Sequence, residues 1–90
     1  MQTKQFLVYG RVQGVGFRFF TWREAKKLGL TGNVRNLTDG AVQVIAKGEA
    51  AVLEAFERYL HQGSPAARVE QVLVQDYLGN QDFTDFQIVH

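Results

Sequence analysis

Asp39-Gly40 lies near the middle of the chain, between two β-like runs, residues 31–38 (TGNVRNLT) and 41–48 (AVQVIAKG). Asp-Gly in that setting predicts a hairpin with a type I′ turn, whose two central residues both need φ > 0. On each side of the hairpin the chain offers one helix and one strand. Before it, residues 5–12 (QFLVYGRV) are rich in β-formers. Phe6, Val8 and Val12 fall on one parity and Leu7 and Tyr9 on the other, the pattern of a strand central in its sheet. A Gly-rich bend at 13–17 leads into a helix over 18–28, with Phe17, Thr21, Ala25 and Leu28 at helical spacing and Gly29 as its stop. After the hairpin, residues 49–62 read as a second helix with the stripe Val52, Phe56, Tyr59 and Leu60. Gly63-Ser64-Pro65 breaks it, residues 67–78 read as a strand, and 83–89 as a short last strand. The expected architecture is α+β: a ferredoxin-like βαββαβ sandwich with an antiparallel sheet, a short C-terminal strand, and two helices on one face.

Ninety residues are expected to form one domain, 1–90. A chain this short buries only about 60–65% of its unfolded surface, so a site belongs in a surface crevice or a loop. With no cysteine, disulfides, thiolate metal sites and thiolate nucleophiles are excluded. Ten basic residues against nine acidic give a net charge of +1, which argues against a broad nucleic-acid surface. MQTKQ has no apolar signal region, and FLVYG is too short to cross a bilayer, so a cytoplasmic protein is the default.

Between the first strand and helix runs GRVQGVGFR, with Gly10, Gly14 and Gly16. Such a loop turns tightly and points N–H groups inward, toward the positive end of the helix that follows. Arg18 adds a planar fork for two oxygens, so the segment suits a phosphate. Glycine spacing by itself fits a plain strand-to-helix turn better than an anion site. Sharper motifs fail by inspection. A Walker A loop needs Gly-Lys-Ser/Thr where the chain reads Gly16-Phe17-Arg18; a thiolate phosphate loop needs Cys at the position of Val12. GVGFRFF loosely matches an RNA-binding pattern, but that pattern lies on a strand and this stretch enters a helix.

In the second segment, GNVRNLTDG, Arg35 and Asn36 point to opposite faces of a strand. One of them reaches the glycine loop if the first two strands pair. A buried or half-buried Asn in a strand needs a reason. Asn36 either caps the strand end or holds a water beside a bound phosphate.

Together, VYGRVQGVGFR and GNVRNLTDGAVQVIAKG, with RVEQV after the Gly-Ser-Pro break, resemble the acylphosphatase family from about Phe6 to Ile88. The resemblance implies hydrolysis of the carboxyl-phosphate anhydride of acyl phosphates. It implies a phosphate loop of Val12, Gln13, Gly14, Val15, Gly16, Phe17 and Arg18, with Arg18 binding phosphate and Asn36 orienting the water. Leu37 stands where some members carry Thr, and Asn33 where many carry an aromatic residue. Both are expected near the site, affecting rate or acyl preference. Such a hydrolase needs no cofactor and no metal. Its partner is a small acyl phosphate, with phosphate or sulfate as competing anions, and neither nucleic acid nor membrane. A monomer is expected. A related domain opens a larger hydrogenase-maturation protein, but the length here favours a free-standing enzyme.

Other residues have plainer readings. His61 and His90 are too few and too far apart for a metal site. Arg11, Arg23 and Arg35 read as ordinary solvated charge, of which at most one or two add positive potential near an anionic substrate. Glu24–Lys27 and Glu54–Arg58 read as surface helix pairs. Phe19, Phe20 and Trp22 read as core or flank. An RNA-binding module of the same fold would need aromatics on its central strands, and AVQVIAKG has none.

Overall fold

The computed structural model describes residues 1–90. In chain order the elements are β1 (Gln2–Arg11), α1 (Phe17–Lys27), β2 (Thr31–Asn36), β3 (Val42–Gly48), α2 (Ala50–Gln62), β4 (Arg68–Asp76) and β5 (Phe86–Val89). They form one sheet in the order β4-β1-β3-β2-β5. β1 is interior, as its two apolar parities require.

Alternation along the strands builds the core. Phe6 and Val8 of β1, Val34 of β2, and Val42, Val44 and Ala46 of β3 face the helices. Phe17 and Ala25 of α1 and Leu53, Phe56 and Leu60 of α2 close on them, so both helices cover one face. Phe56 meets Phe6 and Phe86 edge-on, with ring centroids 5.7 and 6.3 Å apart. The stripe of α2 is thus Leu53, Phe56 and Leu60. Tyr59 turns outward at 39% exposure, and Val52 is only half-buried.

β3 lies between β1 and β2, so the condition of direct pairing between those two strands is not met. Three local expectations are corrected. The hairpin is not closed by a type I′ turn: Asp39 has negative φ, and only Gly40, at φ 95°, is left-handed. Leu37 N–H donates to the Ala41 carbonyl and Gly40 N–H to the Leu37 carbonyl, at 2.8 and 3.3 Å. This is a three-residue loop ending in a left-handed glycine, which needs positive φ once instead of twice. Glu24 is buried, its carboxylate 3.1 Å from Arg23 Nε and 3.6 Å from Lys27 Nζ. Glu54 and Arg58 do not pair; the α2 surface pair is Glu57 with His61, at 3.3 Å.

The last strand is the largest addition to the sequence reading. β5 pairs parallel with β2, making the sheet mixed. Residues 77–85 carry the chain from one sheet edge to the other around the end where β1 begins. Tyr77 N–H donates to the Thr3 carbonyl, Lys47 meets Asp82 at 3.4 Å, and Gly32 N–H donates to the Asp85 carbonyl. Trp22 Nε1 donates to the Phe86 carbonyl at 3.1 Å, tying β5 to α1. β5 therefore runs toward the opposite end of the sheet, where β1 and β2 also end.

Candidate active site

The loop from Val12 to Gly16 occupies that end. Gly14 and Gly16 both adopt φ 75°, and a Cβ on either would meet nothing within 4 Å. The requirement for glycine is thus one of backbone conformation, which costs other residues roughly 1–2 kcal/mol. Two left-handed glycines around Val15 curl the chain so that successive N–H groups converge. Those of Gly14, Val15, Gly16, Phe17 and Arg18 find no acceptor in the chain. α1 starts here, with Gly16 at its N-cap and no side chain capping it. Its unpaired donors and positive dipole end join the same array.

A crevice of about 220 Å³ opens over this array, lined by Val12, Gly14, Gly16, Phe17, Arg18, Phe19, Asn36, Ile88 and His90. Arg18 is half-buried. Its Nη1 lies 3.4 Å from the Val89 carbonyl and 3.4 Å from His90 Nδ1. Contacts that long are weak, so the guanidinium is oriented but free to engage a stronger acceptor. Asn36 ends β2 on the parity of Val34, which puts it on the helix side with the loop. It is exposed, not buried as its place in a strand suggested, because the strand stops there.

Side chains of the loop divide into two groups. Val12, Gly14, Gly16, Phe17 and Arg18 line the crevice. Gln13 and Val15 do not. Gln13 Nε2 donates to the Leu37 and Ala41 carbonyls at 2.8 and 2.9 Å, gripping both ends of the hairpin loop. This strut brings Asn36 to the glycine loop without pairing of β1 and β2. Val15 packs against the core, and its carbonyl accepts from Ser64 Oγ at 2.9 Å.

Asn33 does not sit near the crevice. It faces the other side of the sheet, in a separate 420 Å³ hollow shared with Arg35, Gln81, Asp82 and Thr84. Leu37 does not line the crevice either; its carbonyl accepts from Gln13. Arg11 and Arg35 do not line the crevice. Arg23 is turned to Glu24 and lies 5.8 Å from the Phe20 ring, so Arg18 is the one arginine that lines it. Sequence reading missed Phe19, Ile88 and His90. Phe19, 57% exposed and stacked on Trp22, is adjacent to Arg18 and was accessible from helix phase. Ile88 and His90 depend on the placement of β5, for which no local signal exists. No three of the chain's His, Asp and Glu side chains gather as metal ligands, and no helix is long and apolar enough to cross a membrane. Asp85 lies at the far end of the sheet. The Lys26 hydrogen bond, then the Phe86 N–H, holds it below the usual carboxylate range.

Fold and site define a small ferredoxin-like domain with a crevice edged by unpaired backbone donors and one arginine where its first helix begins. The family model described as Acylphosphatase matches residues 4–88. An acylphosphatase of Actinobacillus succinogenes is 53% identical over 88 residues, covering 98% of both chains. One of Mannheimia succiniciproducens is 48% identical over 90 residues, covering 100% of both. The crystal structure of acylphosphatase from Bacillus subtilis superposes with a TM-score of 0.94 at 38% identity, covering 100% of both chains. The chain belongs to the acylphosphatase family.

Proposed function

We propose that the crevice binds the phosphoryl group of an acyl phosphate on the loop Val12–Arg18 and directs a water at it from Asn36. The chemistry is acyl-phosphate hydrolysis, in keeping with the family. The observation that carries this assignment of roles is the run of backbone donors without acceptors that includes Gly14 to Arg18, with Arg18 and Asn36 on the same crevice.

Water attacks phosphorus in line with the bridging oxygen, the P–O bond to the acyl group breaks, and the carboxylate leaves with both electrons. The water's proton passes to a phosphoryl oxygen, giving dihydrogen phosphate. A carboxylate is a good leaving group, so positioning and charge stabilisation suffice and no strong base is needed. Arg18 and the loop N–H groups hold the equatorial oxygens as their charge redistributes. Asn36 accepts from the water through its carbonyl and fixes its line of approach.

The reaction runs without metal or cofactor, because a carboxylate leaving group asks only for positioning and charge stabilisation. Inorganic phosphate and sulfate compete for the same donors. The test is hydrolysis of benzoyl phosphate in EDTA by wild type, Arg18→Ala and Asn36→Ala, with folding followed by circular dichroism. Each variant is expected to remain folded and to lose about 10²–10³ in kcat. Folded variants with unchanged kcat would remove the assigned roles, and no turnover in EDTA that returns on adding Mg²⁺ would remove metal independence.

A further inference from the structure

We propose that Ser64 is a positioning residue of this site, holding the Val15–Gly16 peptide in the orientation that presents the Gly16 N–H to the phosphoryl group. The inference rests on the phosphate-loop reading above. Ser64 lies in the α2–β4 connector, remote in sequence from the loop, and is 5% exposed. Its Oγ donates to the Val15 carbonyl at 2.9 Å. A trans peptide is planar, with C=O and N–H on opposite sides. Anchoring the Val15 carbonyl toward Ser64 therefore turns the Gly16 N–H the other way, and Gly16 lines the crevice.

The anchor is itself held. Ala67 N–H donates to the Ser64 carbonyl at 2.9 Å, closing the connector into a tight turn. At Gly63 a Cβ would stand 3.0 Å from Val69 and 3.5 Å from the Phe17 ring, so the connector is packed against the loop's back.

This restraint is needed because of the glycines. A peptide bordering a glycine flips by rotating only ψ of one residue and φ of the next, and glycine accepts either sign of φ. Flipped, the Val15 carbonyl would face the phosphoryl oxygens, replacing a donor with a repelling acceptor. Ser64 suppresses that state by giving the carbonyl its only listener on the buried side; no other donor to Val15 O is present.

The experiment compares wild type with Ser64→Ala, Ser64→Cys and Ser64→Thr. KM and kcat for benzoyl phosphate, Ki for inorganic phosphate, and the Gly16 amide in ¹H–¹⁵N spectra during phosphate titration are measured. In Ser64→Ala, Ki and KM rise about tenfold or more, the weight of one hydrogen bond to a charged group. The Gly16 amide loses its phosphate-induced shift while that of Arg18 keeps it. Cys, a weak donor, falls between; Thr retains the hydroxyl and returns Ki to near the wild-type value. If Ser64→Ala does not fold, the Cys and Thr pair decides on the same readouts. A folded variant without the hydroxyl that keeps wild-type Ki and Gly16 response, whatever its thermal stability, overturns the inference. Wild-type protein whose loop amides ignore phosphate would instead overturn the phosphate-loop reading itself.

Discussion

Replacing Gln13 by Leu removes a polar strut while keeping nearly the same volume. Gln13 Nε2 gives one hydrogen to the Leu37 carbonyl and the other to the Ala41 carbonyl, at 2.8 and 2.9 Å. Two such bonds contribute about 1–3 kcal/mol together. Each carbonyl keeps a second donor, Gly40 N–H on Leu37 and Leu37 N–H on Ala41, so neither is orphaned. The loss therefore lies toward the lower end, about 1–2 kcal/mol, or a fall in Tm of roughly 5–15 °C for a domain of this size. The catalytic effect is larger than the effect on substrate binding. The glycine loop keeps its own donors and Arg18, so KM for benzoyl phosphate rises less than about threefold, well within 1.4 kcal/mol. The hairpin carrying Asn36 is no longer tied to that loop, and a misplacement of about 1 Å costs about 10² in kcat. Urea denaturation and steady-state kinetics on the same preparation separate the two effects. A Gln13→Leu protein with lower stability but wild-type kcat would refute the strut argument. A rise in KM with kcat unchanged would mean that Gln13 binds phosphate directly.

Two further outcomes follow from residues away from the crevice. Asn33 is 5% exposed, and its Oδ1 has no hydrogen-bond partner. Asn33→Leu removes that orphaned acceptor and is expected to stabilise the fold by about 1 kcal/mol, raising Tm by about 4–8 °C with kcat unchanged; a fall in Tm would show that the amide is satisfied in solution. Asp85 is held below the ordinary carboxylate range, chiefly by Lys26. A depressed folded-state pKa adds stability above the unfolded value of about 4, and that stability is lost as pH falls through the lower folded value. Urea midpoints of wild type and Asp85→Asn should therefore converge between pH 5 and pH 2, and a constant gap across that range would exclude the coupling.

The contrast between legible and illegible features follows the sequence separation of the interactions behind them. The bend at Gly14 and Gly16, the start of α1 and the stop at Gly29 are set within a few residues. The glycines take the left-handed values that their positions suggested. Periodicity placed both helices, because it records which side chains leave water, but it misjudged the edges: Tyr59 and Leu53 exchange roles in α2. Asp39-Gly40 marked the hairpin correctly yet not its geometry, since Asp-Gly suits both loop lengths and the register of β2 on β3 selects one of them. Arg18 and Asn36 were both legible as residue types, and the family resemblance joined them.

What brings Arg18 and Asn36 into one crevice is written in no local stretch. β3 separates the strands that carry them, and their meeting depends on Gln13 reaching the hairpin carbonyls. β5 offers a short apolar run whose parallel pairing with β2 is decided only by the path of residues 77–85 around the sheet, and that path delivers Ile88 and His90 to the crevice. Ser64 reads in sequence as part of a helix-breaking Gly-Ser-Pro, and only packing sets its hydroxyl against Val15. By itself the chain determined its elements, its turn chemistry and the residue types of its site, because these depend on local dihedral preference and on the periodic burial of apolar groups. The convergence of the site was left to the tertiary structure, because hydrogen bonds between distant segments have directions and lengths that no sequence spacing encodes.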